Sequence, residues 1–397
     1  MFTALLVASL ASAASAKEWK VIDGTAATTL VGCGADSDVN GVCGASSNGI
    51  GAFMERYDGA DVGKEKFDGG LIMDAATDAT YTVASSMLPI IVSKDGGKTY
   101  ATSESLGGLS QSNDVTDGVI SMVGTFTKPK SEGVPTGVQG VARSEDGGDS
   151  WTVSEIPEGY VRYGAYPSKD TWYVSSGMWP ADEVDALKTA MEDKLQHKKT
   201  HLFSARAAVS SRGVQFKDHK RVGANETDGG YTAFISKTTD GGATWSTVFP
   251  NDPKNNYFYF NAIDCSSDLH CVAVAEGEDA ETGDYDIRAY VTFDGGESWT
   301  NSIPKSTWPE DTMMVSIAGA AWVDENEGWL GATSKSRGML QAQFFHTTDG
   351  GKTFAVDQQL NDCFVMDLDF AANTGSTVGY ASCIGSSGAS ASMALYA

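Results

Sequence analysis

The chain is short of positive charge and of histidine. It has 28 lysines and arginines against 52 acidic residues, a net charge of −24, and only 5 histidines. That balance repels nucleic acid and anionic membrane surfaces, so neither is expected as a partner. After the first residues no apolar run reaches the ~18 residues of a membrane span, so no span is expected in the mature chain. No C-x-x-C pair occurs, which removes the common zinc spacings. No G-x-S-x-G elbow occurs, and with it goes the serine nucleophile of an α/β-hydrolase. His197 and His201 stand four apart, but the glutamate of H-E-x-x-H is missing. No metal and no cofactor are expected.

Glycine, by contrast, is abundant at 45 residues, and one phrase uses it five times. The phrase centres on Asp95-Gly96-Gly97, Asp146-Gly147-Gly148, Asp240-Gly241-Gly242, Asp294-Gly295-Gly296 and Asp349-Gly350-Gly351. Two residues before each aspartate stands a hydroxyl: Ser93, Ser144, Thr238, Thr292 or Thr347. After the glycines come one variable residue, a second hydroxyl and an aromatic: Thr99-Tyr100, Ser150-Trp151, Thr244-Trp245, Ser298-Trp299 or Thr353-Phe354. Asp-Gly between apolar or β-branched runs is a strong hairpin signal. The glycines supply positive φ, and the carboxylate accepts backbone N–H groups a few residues on. The aromatic is large enough to plug a gap between two sheets.

Successive aspartates are about fifty residues apart, the period of a four-stranded propeller blade. The interval from Asp146 to Asp240 is nearly double and holds one enlarged unit or two units. The expected fold is all-β, a seven-bladed β-propeller over residues 17–397, with six or eight blades left open. The units run over about 24–70, 71–106, 114–155, 160–249, 257–303, 313–359 and from 363 onward.

The repeated phrase resembles the Asp-box, or bacterial neuraminidase repeat, of sialidases, sortilin-type receptors, some β-glucanases and photosystem II assembly and stability factors. The stretch Ala320 to Ala332, followed by Phe345-His-Thr-Thr-Asp349, is most similar to a blade of the assembly-factor type. The resemblance implies the propeller fold and a structural place for Asp95, Asp146, Asp240, Asp294 and Asp349 on the blade edges. It also implies scaffolding for other proteins. The photosystem partner is not carried over, because paired cysteines and a single leader suit another compartment.

Residues 1–16 read as a secretory signal peptide, with an apolar Leu5–Leu10 core and Ala-Ser-Ala ending at Ala16. Six cysteines behind it fall as close pairs: Cys33 with Cys43, Cys265 with Cys271, and Cys363 with Cys383. Each pair brackets a turn and is expected to tie the first two strands of a blade by a disulfide. Asn225-Glu-Thr227 is a glycosylation sequon. A secreted, extracellular or endomembrane-lumenal monomer follows. Trp19–Asp23 alternates like a strand and is expected to close the last blade from the N-terminus. The acids fit a saline medium; Glu276, Glu278, Asp279, Glu281, Asp284 and Asp286 make an acidic loop, but without calcium-ligand spacing.

The fourth unit carries an insertion over 180–221. Val184, Leu187, Met191 and Leu195 form one apolar stripe behind Pro180, which predicts a helix over 181–199. Basic residues gather in and after it, notably Lys198, Lys199, Arg206, Arg212, Lys220 and Arg221. They read either as a solvated face or as a receptor for an anionic protein segment or glycan.

Sialidase chemistry needs three arginines, a tyrosine–glutamate pair and an aspartate. No Arg-Ile-Pro phrase precedes the first repeat, and Arg143, Arg162, Arg288 and the others sit in no matching phrase. No catalytic residue is assigned. Two functions stay open: a non-catalytic propeller that binds a protein or glycan on one face, and a secreted glycan-active hydrolase, which needs only two carboxylates at the right separation.

Overall fold

The structure is a computed structural model. It describes residues 17–396 except 23–28, 36–40, 47–51, 59–61, 68–71, 79, 87–88, 128–136, 157–159, 179–231, 251–256, 280–281, 283, 310–311, 337–338, 372–377 and 386–390. The described elements are strands, with one 3-10 turn at Lys305–Thr307. They begin with β1 (Trp19–Val21). Blade 1 follows as β2 (Thr29–Ala35), β3 (Gly41–Ser46), β4 (Ala52–Tyr57) and β5 (Val62–Phe67). Blade 2 has β6 (Ile72–Thr77), β7 (Thr82–Ser86), β8 (Pro89–Ser93) and the start of β9 (Ala101–Thr116). Blade 3 uses the rest of β9, then β10 (Val119–Thr127), β11 (Val138–Ser144) and β12 (Thr152–Glu155). Blade 4 is β13 (Val161–Ala165), β14 (Trp172–Met178), β15 (Thr232–Thr238) and β16 (Ser246–Phe249). Blade 5 is β17 (Phe258–Ser267), β18 (His270–Glu278), β19 (Tyr285–Thr292) and β20 (Thr300–Asn301). Blade 6 is β21 (Met313–Trp322), β22 (Gly328–Ser336), β23 (Met339–Thr347) and β24 (Ala355–Asn361). Blade 7 is β25 (Phe364–Phe370), β26 (Gly379–Ile384) and β27 (Ala391–Tyr396).

Every blade is an antiparallel meander, and the innermost strands β2, β6, β9, β13, β17, β21 and β25 each contact the next around a closed ring. The fold is therefore a seven-bladed β-propeller, which settles the blade count left open by the long interval. Apolar side chains are shared between neighbouring blades rather than held within one. One core joins each adjacent pair, such as Val123, Val141, Val161 and Trp172 between blades 3 and 4. Another joins Val291, Ile303, Met314 and Phe354 between blades 5 and 6. A sheet face that packs on both neighbours leaves no free face in the ring.

Strand β1 pairs antiparallel with β27, Trp19 opposite Tyr396, and supplies the outermost strand of blade 7. Trp19 is fully buried and stacks on Phe344 of blade 6 at 4.2 Å. Its backbone N–H donates to Gln358 Oε1 at 2.6 Å, and its carbonyl accepts from Gln358 Nε2 at 2.8 Å. The closing strand is thus held from both sides.

The three disulfides form as paired in sequence. Cys33 on β2 is bonded to Cys43 on β3 in blade 1, and the two residues face each other in the strand register. Cys265 on β17 is bonded to Cys271 on β18 in blade 5, again as register partners. In blade 7 the placement differs slightly from the expectation. Cys383 lies on β26, but its partner Cys363 stands one residue ahead of β25, where the chain enters the blade. Cys43, Cys271, Cys363 and Cys383 are all buried, and no free cysteine remains among the described residues.

One further expectation needs amendment. Residues 107–113 are not a break between units, because β9 runs unbroken from the outer edge of blade 2 to the inner edge of blade 3. No α-helix occurs among the described residues. The expected helix over 181–199, the basic residues Lys198, Lys199, Arg206, Arg212, Lys220 and Arg221, the glycosylation sequon at Asn225 and the leader 1–16 all lie outside the described residues. Their anchors are described: Met178 pairs with Thr232, at the end of blade 4 opposite its Asp240 corner.

Candidate functional site

The five repeated corners have one geometry. In each, both glycines have positive φ, from 66° at Gly96 to 92° at Gly296. The leading hydroxyl donates to Asp Oδ1, as from Thr238 at 2.7 Å, and accepts the second glycine's N–H, as from Gly242 at 3.0 Å. The trailing hydroxyl residue gives its N–H to Oδ1 and its O–H to Oδ2, as Thr244 does at 2.8 and 2.6 Å. These donors favour the charged carboxylate. The Ser150, Thr244 and Ser298 hydroxyls chiefly hold Asp146, Asp240 and Asp294 down to about 2. The closing aromatics reach the preceding blade, as when Trp299 Nε1 donates to the Val248 carbonyl at 3.2 Å. The carboxylate oxygens are thus occupied by donors of their own corner, which is the bonding of a fold-holding staple rather than of a ligand site.

The corners define one face of the ring. In four blades the first corner glycine donates to the turn after the innermost strand, at Thr80, Asp170, Leu269 or Asn326. The innermost strands therefore end at the corner face and begin at the opposite one.

Each of the seven innermost strands carries a β-bulge. A bulge inserts one unpaired residue and re-aims its side chain. The extra residues are equivalent around the ring: Gln111, Arg162 and Asn261 in blades 3, 4 and 5, and Val315, Met366 and Met73 in blades 6, 7 and 2. In blade 1 the irregularity falls at Val31–Gly32. Three consecutive blades thus present a polar arc, and the others are apolar or glycine.

Each arc residue reaches the next blade. Gln111 Nε2 donates to the Tyr160 hydroxyl at 2.9 Å, Arg162 Nη2 to Asn261 Oδ1 at 3.2 Å, and Asn261 Nδ2 to the Ile317 carbonyl at 3.0 Å. The Arg162 guanidinium lies over the Tyr259 ring at 4.8 Å and near Tyr163 at 5.6 Å. Behind it, Glu276 accepts from the Tyr259 hydroxyl, from Ser316 Oγ at 2.7 Å and from the Ile317 N–H at 3.2 Å. Arg162 forms no ion pair among the described residues, and its Nε is buried without a hydrogen-bond partner. A guanidinium that is stacked and anchored but not neutralised is oriented for an oxyanion.

A second set of polar groups lies three residues beyond the bulges, nearer the corner face: Asp114, Asp264 and Asp369. Asp264 accepts from the Trp322 N–H of blade 6 at 2.7 Å, and Asp369 from the Ala35 N–H of blade 1 at 2.8 Å. Asp74 and Asp367 brace neighbouring blades in the same way, through Asn113 and Cys33. Asp114 differs, because its side-chain hydrogen bonds are to Thr116 alone. Burial pushes Asp114 up to about 7, with the Asp264 charge adding to it and Arg143 opposing. Burial likewise raises Asp264 and Asp369.

Of the acidic loop around 276–286, Glu276 turns inward, Asp279 pairs with Lys305 at 3.1 Å and Asp286 with Arg288 at 2.9 Å. The arc was missed in sequence because a bulge breaks the two-residue period that locates side chains on a strand. The usable signal was a polar residue inside an otherwise apolar or aromatic run, as in Val161-Arg162-Tyr163 and Phe260-Asn261-Ala262.

No protein-family model and no curated protein matches the chain. Solved structures do. A polysaccharide lyase of family 25, an ulvan lyase, is 10% identical with a TM-score of 0.51, over 92% of this chain and 95% of that one. U3-55K is 10% identical with a TM-score of 0.55, over 96% and 98%. The RRP9 WD40 repeats are 9% identical with a TM-score of 0.52, over 96% and 97%. At these identities the likeness is one of fold.

Proposed function

We propose that the chain is a secreted, non-catalytic propeller that binds a protein or glycan partner on the face opposite the corners. The carrying observation is the Gln111–Arg162–Asn261 arc, with its unneutralised guanidinium, in the half of the inner wall towards that face. The basic residues Lys198, Lys199, Arg206, Arg212, Lys220 and Arg221, which lie outside the described residues, are proposed as further contacts to an anionic partner. The Asp-box resemblance and the scaffolding style of the assembly factors support the reading. So does the use of the wall carboxylates, four of which are bound to backbone donors of the adjacent blade rather than presented as a reactive pair.

The test is a glycan array together with a pull-down, using the secreted chain and a variant with the basic residues of 194–221 neutralised. Capture of a partner that is blocked by substitutions on the opposite face supports the reading. Capture blocked only by substitutions at the corners sinks it. Unchanged binding by the neutralised variant clears the basic stretch of a role.

One observation favours the glycan-active hydrolase instead. Asp114 is half-buried, lacks the backbone donor that its counterparts have, and is protonated to a large extent near pH 7, as a general acid needs to be. Release of reducing ends from a glycan panel, abolished in Asp114→Asn, would establish that reading. Equal release by both proteins would remove it.

A further inference from the structure

Resting on the binding-face reading above, we propose that Arg162 is the receptor for the oxyanion of an acidic saccharide, a sulfate ester or a carboxylate, seated on the polar arc of blades 3 to 5. The first argument is positional. Seven equivalent bulges ring the inner wall, and only in three consecutive blades is the extra residue polar. Packing alone gives no reason for that asymmetry, since Val315 and Met366 fill the same place in blades 6 and 7.

The second argument is electrostatic. Arg162 is the middle residue of the arc and is half-buried, and among the described residues no carboxylate is paired with it. Glu276, the acid bonded to the tyrosine beneath it, is already held by the Tyr259 hydroxyl, the Ser316 hydroxyl and the Ile317 N–H. Withdrawing a guanidinium from water without a partner is costly, and an anion that completes its donors removes that cost.

The third argument selects the carrier. The accessible groups beside the guanidinium are the Gln111 side-chain amide and the rings of Tyr160 and Tyr163, while Asn261 and Tyr259 are buried beneath it as its support. Amide edges match sugar hydroxyls and tyrosine faces match sugar rings. An acidic protein would bring a second large negative field against a chain of net charge −24. A saccharide brings its charge singly, to a site that has one cation for it.

The experiment is calorimetric titration of the full chain with four tetrasaccharides: an oligogalacturonate, its carboxyl-reduced counterpart, a sulfated galactan fragment and its desulfated counterpart. At least one charged member is expected to bind about 10-fold or more tightly than its uncharged counterpart. Arg162→Gln should lose about 10- to 100-fold of that affinity, and Arg162→Lys should retain part of it. Whichever charged member wins identifies the oxyanion. Equal binding of charged and uncharged members by the natural chain overturns the proposal, and that arm needs no variant to fold. So does undiminished binding by Arg162→Gln, or binding of an acidic peptide in place of either saccharide. If the partner captured in the pull-down is held equally by Arg162→Gln, the binding face stands and only the assignment of Arg162 falls.

Discussion

The propeller uses aspartate in two regions with opposite electrostatics. At the corners Asp146, Asp240 and Asp294 sit at the surface, each among hydroxyl and backbone donors, and are held down to about 2. On the inner wall Asp114, Asp264 and Asp369 are half-buried and pushed up, Asp114 to about 7. The residue is the same, so the difference lies in the number of donors set against the loss of water. A corner supplies at least three donors to one exposed carboxylate, so the charge is favoured. The wall supplies Asp264 with two, the Trp322 and Cys265 N–H groups, and burial outweighs them. Asp264 and Asp369 are therefore in place as acceptors between blades, and their charge is tolerated rather than used.

The strongest way to break that comparison is Asp264→Ala. It leaves the Trp322 and Cys265 N–H groups without their acceptor. The expected loss is about 2–4 kcal/mol, read by urea unfolding, with Asp264→Asn losing less than half as much. An alanine variant as stable as the natural chain would mean that relief of the buried charge outweighs the lost bonds. Next in size is Gly242→Ala at a corner. Gly242 has φ 86°, and a Cβ there would come within 2.4 Å of Ser154 Oγ and 2.6 Å of the Trp172 ring. The backbone alone costs about 1–2 kcal/mol, and the overlap adds to it. Stability equal to the natural chain would show that the corner does not depend on its left-handed glycine.

The two regions also predict opposite pH limbs. Asp114 has a folded pKa above its unfolded value of 3.8, so its favourable contribution is fully present below 3.8 and is lost as pH rises towards about 7. Asp264 and Asp369 act in the same direction. Asp146, Asp240 and Asp294 have folded values near 2, so their contribution is present above 3.8 and is lost as pH falls through about 2. Melting temperature should therefore peak in the acid range, near pH 4, and decline on both sides. Asp114→Asn should flatten the limb between pH 4 and 7 and leave the acid limb unchanged. An unaltered upper limb in that variant would place the titration elsewhere.

The corners were legible in sequence because all their parts are local. Asp240, the two hydroxyls and both glycines lie within seven residues, and their bonds do not depend on the rest of the chain. The disulfides were legible for a related reason. Cys43 and Cys271 each follow their partners across a single turn, and Cys383 returns to Cys363 over one hairpin. The closing role of Trp19 likewise joins the two ends of the meander. The wall was not legible. Arg162 meets Asn261 across a separation of ninety-nine positions, from one blade to the next. The bulges that align Gln111, Arg162 and Asn261 break the two-residue period that would have located their side chains. Asp294 was marked by its local phrase, whereas Asp264 carries no such mark and only the neighbouring blade makes it an interior acceptor.

The smallest expected effect sharpens the comparison most. In Asp146→Asn the amide oxygen can take the place of Oδ1 and keep the Ser144 hydroxyl at 2.8 Å and the Ser150 N–H at 2.9 Å. The Ser150 hydroxyl, which donates to Oδ2 at 2.5 Å, can rotate and accept from the new amide N–H₂. The corner keeps its shape and loses only its charge. At pH 7 the variant should melt slightly below the natural chain, because a neutral acceptor makes weaker bonds. As pH falls towards about 2 the natural Asp146 becomes protonated and the two proteins should converge. A gap that stays constant from pH 7 to pH 2 would mean that the corner carboxylate contributes shape alone, and that its charge is as incidental at the surface as it is on the wall.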